Sequence, residues 1–169
     1  MLDDTGNDHM TTEATFSHLD EHGRAKMVDV GHKAESFRIA RASGLVRMNP
    51  ETLQALLSGH NPKCEVLSVA RVAGIQAAKA TDRLIPLCHS LGLDSVEVHF
   101  EARPPDAIAI LAEARLTGRT GVEMEALVAV SVSALTIYDM CKAFDRGMQI
   151  ELVRLDYKSG GQSGEFHRN

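Results

Sequence analysis

Leu93-Asp94-Ser95-Val96-Glu97-Val98-His99-Phe100-Glu101, then Pro104-Pro105-Asp106, then Ala107-Ile108-Ala109-Ile110-Leu111-Ala112-Glu113-Ala114-Arg115-Leu116, is the stretch that decides the fold. Val96, Val98 and Phe100 alternate with Ser95, Glu97, His99 and Glu101, the period of two expected of a strand with one buried and one wet face. The prolines and aspartate between the runs make a turn, and Ala107 to Leu116 alternates again. Together they predict a β-hairpin.

Helices flank this hairpin. From Cys64 to about Arg83, the residues Val66, Leu67, Val69, Ala70, Ala73, Ala77 and Ala80 cover much of a helix surface, rich enough in alanine for close packing. Pro86 ends that region. After the hairpin, Thr117 to Gly121 is a glycine-containing connection, and Val122 to Phe144 carries Leu127, Val130, Ala134, Ile137 and Cys141 at helical spacing. Its middle is apolar nearly all round, so its own sheet or another subunit must cover it on several sides. Gly147 marks its exit, and Met148 to Tyr157 is predicted as the last strand.

Further upstream, Glu35 to Met48 reads as a strand with a bend at Ser43-Gly44, and Ala25 to Val30 as a short strand. Asn49-Pro50-Glu51 offers an N-cap, a proline at the first helical position and an acidic first turn. The short helix it opens stops at Ser58-Gly59, and Asn61-Pro62-Lys63 breaks the chain again. With that helix set aside, the order is strand, helix, strand, strand, helix, strand. This predicts an α+β, ferredoxin-like (βαββαβ) domain, an antiparallel sheet with helices packed on one face. The expected layout is a disordered lead-in over residues 1–15, a single catalytic domain over 16–157 and a flexible tail over 158–169.

Composition bounds the function. A net charge of −5 argues against a nucleic-acid surface, though not against a local basic pocket for a small phosphorylated ligand. The cysteines Cys64, Cys88 and Cys141 are far apart and in no C-x-x-C pairing, which removes a disulfide framework and a zinc ribbon. No apolar run approaches the ~20 residues that span a bilayer, and the start lacks a basic-then-apolar signal. A cytoplasmic protein with reduced thiols and no membrane partner is expected.

Several groups could carry chemistry. Asp139 and Lys142 lie three apart on the long helix and project to nearly the same side. They are either an exposed ion pair or a carboxylate and ammonium facing a pocket, each adjusting the other's pKa. Leu87-Cys88-His89 follows a proline in an irregular segment, where functional groups are often placed, although a histidine there is more often a satisfied structural one. Glu123-Met124-Glu125 begins the long helix, as the macrodipole prefers for acidic residues. Lys79 has Asp82 at i+3 as an ion-pair partner, and Lys63 follows a proline turn. Lys158-Ser159-Gly160-Gly161 could close over phosphate through flexible backbone and a cation, or form part of an open tail. Glu125 and Asp139 are fourteen residues apart, roughly 21 Å along a helix at about 1.5 Å per residue, so one small-molecule site could use both only across two chains.

Five runs together carry a resemblance: Lys26-Met27-Val28-Asp29-Val30, Ala70 to Lys79, Leu84-Ile85-Pro86-Leu87-Cys88-His89, Gly118 to Leu127, and Thr136-Ile137-Tyr138-Asp139-Met140-Cys141-Lys142-Ala143. In order, over about Ser17 to Gly164, they resemble the cyclic pyranopterin monophosphate synthases, the MoaC proteins of molybdenum cofactor biosynthesis. The resemblance implies a lyase that converts 3′,8-cyclo-7,8-dihydroguanosine 5′-triphosphate to cyclic pyranopterin monophosphate and pyrophosphate, without metal or other cofactor. It also implies a ferredoxin-like subunit in a homohexamer, a trimer of dimers with sites at the dimer interface. Asp139 and Lys142 match the family's acid/base aspartate and its lysine, with Lys63 and His89 catalytic beside them. Leu87, Cys88, His89, Glu123, Met124, Glu125, Lys79 and Lys158 match substrate-binding positions. Ser90 and Gly92 stand where many members have prolines, and Gln162 where a lysine is common. Two other functions fit some of the same residues: a metal-dependent hydrolase built on Cys88, His89 and a carboxylate, and a ligand-binding scaffold with an oligomeric helix interface.

Overall fold

The computed structural model describes residues 17–58, 64–161 and 164–169. The hairpin is present as β2 (Ser95–Arg103) and β3 (Ala107–Gly118), paired in unbroken antiparallel register from Ser95↔Arg115 to Arg103↔Ala107. β1 (Ser36–Arg47) runs along the other side of β3, and β4 (Gln149–Ser159) pairs with the free edge of β1. β5 (Phe166–His167) adds two residues against Tyr157 and Lys158. The result is a mixed α/β domain around a five-stranded antiparallel sheet in the order β2-β3-β1-β4-β5.

The bend read at Ser43-Gly44 has a physical counterpart. The β1–β4 register shifts between Arg41 and Ala42 and again between Ser43 and Leu45, while the β1–β3 register continues without interruption. Gly44 is required there, because a Cβ would stand 2.6 Å from Val130 Cγ1 of the helix packed above. That helix is α4 (Glu123–Cys141), the longest in the chain. It lies with α2 (Cys64–Lys79) over the sheet face that carries Ala40, Ala42, Val46, Ile108, Ile110 and Ala112, all buried. Alternate residues of β1 and β3, among them Arg41, Glu113 and Arg115, point to the opposite face, where Glu113 pairs with both arginines.

Small residues set the distance between the two helices. At Gly74 of α2 a Cβ would lie 2.9 Å from the Ala129 carbonyl and closer still to Ser133 Oγ, and Ser133 donates to the Ala70 carbonyl at 3.0 Å. α4 has the length and apolarity of a membrane span, but nine of its residues are buried, most of them against the sheet and α2, which makes it a core helix. α1 (Pro50–Leu57) begins at the proline as expected. Its Asn49 makes no side-chain cap. The buried carboxylate of Asp145, beyond α4, instead accepts the Asn49 N–H at 2.7 Å, the Gly147 N–H at 2.9 Å and the Thr52 hydroxyl at 3.5 Å.

Three segments differ from expectation. Ala25 to Val30 is not a strand: only Leu19 and Ala25 form an isolated bridge, and the chain then runs irregularly to β1. β1 is already paired on both sides, so Val28 and Val30 line a cavity rather than joining a ladder. The helix expected to continue to Arg83 breaks at Ala80 and resumes as one turn, α3 (Thr81–Leu84), because Ala80 leaves helical geometry at φ −116° and ψ 17°. The stretch read as a tail from Lys158 contains the end of β4 and all of β5. The lead-in over residues 1–15 lies outside the described residues.

Candidate active site

Two irregular connections meet at the N-terminal end of α4. After α3, Ile85 turns extended and the Cys88 N–H bonds back to the Ile85 carbonyl at 3.1 Å, which carries residues 87–89 across the first turn of α4. After β3, residues 119–122 lead into Glu123. Between them lies a cavity of about 350 Å³ lined by Leu87, Cys88, His89, Glu123, Met124 and Glu125. Six of the residues singled out in the sequence, from segments more than thirty positions apart, therefore share one wall.

His89 is held by the irregular segment before β1: its Nε2 lies 2.8 Å from the Val28 carbonyl oxygen. A carbonyl only accepts, so this nitrogen carries the proton, and in the neutral ring Nδ1 is left as an acceptor. Glu125 is 3% exposed, and its carboxyl is pushed up to about 7, chiefly by burial and further by the negative charges of Glu123 and Asp82. It is thus poised to give or take a proton near neutrality. The Cys88 thiol is also pushed up, first by burial and then by Glu125 and Asp82, so it is a poor thiolate nucleophile here. Glu123 pairs with Lys158 at 2.9 Å, which ties the end of β4 to the start of α4.

The other predicted residues lie elsewhere. Asp139 occupies the last turn of α4 and Lys142 its C-cap, where the ammonium donates to Asp139 Oδ1 at 2.6 Å. Both side chains are more than half exposed. The Asp139 hydrogen bond holds the Lys142 ammonium above its ordinary pKa. Lys79 is exposed at the end of α2. Lys63 lies outside the described residues. Within one chain, then, the structure gathers His89, Glu123, Glu125 and Lys158 at one end of α4 and leaves Asp139 and Lys142 at the other.

Val28, Lys33 and Thr120 also line the cavity and were not singled out in the sequence. A local signal existed for the segment around Lys33. Asp29 Oδ1 accepts the Gly31 N–H at 2.8 Å, an Asp-x-Gly turn that argues for loop rather than strand. Among the described residues, no three His, Cys, Asp or Glu side chains are grouped so as to hold a metal ion.

A helix-covered antiparallel sheet with a cavity that sets a buried carboxyl beside an imidazole has the makings of a small-molecule enzyme of the acid–base kind. The model of the MoaC family matches residues 27–161, and the chain belongs to that family. Over 154 residues it is 56% identical to "Cyclic pyranopterin monophosphate synthase 1" of Mycobacterium bovis (strain ATCC BAA-935 / AF2122/97), with 91% of each chain covered.

Proposed function

We infer that this enzyme converts 3′,8-cyclo-7,8-dihydroguanosine 5′-triphosphate to cyclic pyranopterin monophosphate, a lyase reaction of molybdenum cofactor biosynthesis. The observation that carries this is the gathering of residues 87–89 and 123–125 around one cavity in a chain of the MoaC family. The reaction rebuilds a purine as a pterin and so needs several proton transfers. A carboxyl that titrates near neutrality beside a tautomer-fixed imidazole suits that work.

Asp139 acts as acid/base partner, Lys142 and Lys63 position phosphate and donate protons, Lys79 binds substrate beside them, and His89 orients the substrate. Because Asp139 and Glu125 are at opposite ends of a 19-residue helix, a complete site takes one end of α4 from each of two chains. Exposed apolar side chains on the helix layer support this: Leu135 and Met140 on α4, Phe144 just beyond it, and Val69 and Val72 on α2. A dimer over this surface, assembled three times into a hexamer, is the proposed form, and the subunit is ferredoxin-like, in keeping with its strand order. The proposed location is the cytoplasm.

Incubating purified protein with the cyclised GTP substrate and following pyranopterin and pyrophosphate tests the activity. Asp139→Asn and Lys142→Ala test the roles, and near-normal turnover in both would remove them from the mechanism.

A further inference from the structure

Asp145, three residues beyond Lys142, is only 4% exposed, and the acid–base chemistry above makes no use of it. Among the described residues no cation pairs with it. Its oxygens are met from two directions. The Asn49 N–H and the Thr52 hydroxyl, at the start of α1, donate to Oδ2, and the Gly147 N–H donates to Oδ1. One carboxylate thus spans the first turn of α1 and the turn that follows α4. Burying such a group is costly, and a local cap would serve α1 at less cost. Asn49 is of a type suited to that cap, yet its side chain makes no cap bond. What a local cap does not do is fix α1 against the end of α4.

Close packing does not set that spacing. A cavity of about 180 Å³ lies between the two elements, with Thr52 and Leu56 of α1 on one side and Cys141 and Phe144 on the other. Side chains that border a void leave their neighbours room to shift, so the hydrogen bonds carry the registration. On the α4 side the chain is wound tightly. The N–H groups of Phe144 and Asp145 both donate to the Cys141 carbonyl, at 2.8 and 3.1 Å, and the Lys142 N–H donates to the Tyr138 carbonyl at 2.8 Å. The Tyr138 hydroxyl donates to the Arg146 carbonyl at 3.4 Å. Lys142 therefore lies in a closed turn that is joined to α1 through Asp145.

We propose that Asp145 is a positioning residue for the pair Asp139 and Lys142, holding the end of α4 in register with α1, the helix that Lys63 follows in the chain. This rests on the roles proposed above for Asp139, Lys142 and Lys63. Asp145 needs no contact with substrate and acts through the backbone that carries the pair. A shift of about 1 Å in a reacting group is enough to cost a large factor in rate, so the tie is felt in turnover as well as in stability. An amide at this position accepts on one oxygen only, so Asp145→Asn unties one side and keeps the side chain's shape.

The test compares Asp145→Asn with Val98→Ala, a core truncation on β2 facing Gly74 of α2, which is expected to lower stability without moving the end of α4. Two readouts are taken on the full-length protein. One is turnover of the cyclised GTP substrate. The other is the NMR resonance of Lys142 after isotope-labelled methylation of the lysines, assigned by its loss in Lys142→Ala. Asp145→Asn is expected to lower kcat by about tenfold and to move the Lys142 resonance toward the position of solvated lysines, and Val98→Ala to do neither. If Asp145→Asn does not fold, Thr52→Val carries the test, removing one donor for a loss of about threefold in kcat. Unchanged kcat in the folded variant, a Lys142 resonance that stays in place, or an equal loss of kcat in Val98→Ala overturns the positioning role. If wild-type protein does not convert the substrate, the proposed reaction falls. The Lys142 resonance then decides for Asp145: a shifted resonance upholds the tie, and an unshifted one overturns it.

Discussion

The two ends of α4 carry similar chemical groups in opposite surroundings. At the N-terminal end, Glu125 is buried in a cavity wall and its carboxyl is pushed up to about 7, because the loss of water around its charge outweighs the hydrogen bond from its own backbone N–H. At the C-terminal end, Asp139 and Lys142 stand in solvent, joined by one hydrogen bond that favours the charged form of the lysine. Burial at one end makes a proton carrier at neutral pH, and exposure at the other keeps two full charges available for a partner surface. Residue type and spacing cannot distinguish these cases, since both ends read as acidic residues on a helix.

The largest effect expected from this contrast is on turnover. Asp139→Asn should lower kcat by about a hundredfold or more, the usual size of an acid–base contribution, with thermal stability unchanged. Steady-state kinetics beside a melting curve checks both.

Next in size is the pH dependence of stability set by Glu125. Its folded-state carboxyl titrates near 7 against an ordinary 4.5, so the contribution is fully present below about 4.5 and is lost as pH rises through about 7. Glu125→Gln removes the dependence. The stability difference between the variant and wild type should therefore grow from pH 4.5 to 7 and level off above, by an upper bound of roughly 3 kcal/mol. Denaturant midpoints across that range measure it, and a gap that does not change with pH would show that Glu125 is not the buried acid described here.

Mixing tests the two-chain arrangement. Equal amounts of Asp139→Asn and His89→Ala protein, each nearly inactive, should recover roughly a quarter of wild-type activity after subunit exchange, because half of the dimers are mixed and one of their two sites is intact. No recovery, with exchange verified by mass spectrometry, would place both residues in a site within one chain. Smallest of all, Lys142→Ala should leave the melting midpoint within about 2 °C, since an exposed ion pair contributes little.

Much of the sheet was readable because its strands are long and partly alternate: every second residue is buried from Arg38 to Val46 in β1 and from Ile110 to Leu116 in β3. Ala25 to Val30 was misread for a related reason: apolar residues lining a cavity alternate in the same way as those of a short strand. The C-terminal β5 was missed because two residues held by pairing leave no periodic trace. In the site, His89 and Glu125 could be named but not joined, since no local pattern places residues 36 positions apart on one wall.

The close contact at Gly74 and the alanines around it have a consequence for how this protein can change over generations. Ala40, Ala42, Ala70, Ala78, Ala112, Ala114, Ala126, Ala129 and Ala134 are all buried, so at these positions nearly every available replacement is larger. Truncation, the usual route to a damaged core, has little to remove here, and overfilling becomes the main hazard. Sequence drift in the helix layer is then constrained in one direction. A new bulky side chain survives only where a facing residue has already become smaller, so accepted changes should arrive in matched pairs across α2 and α4.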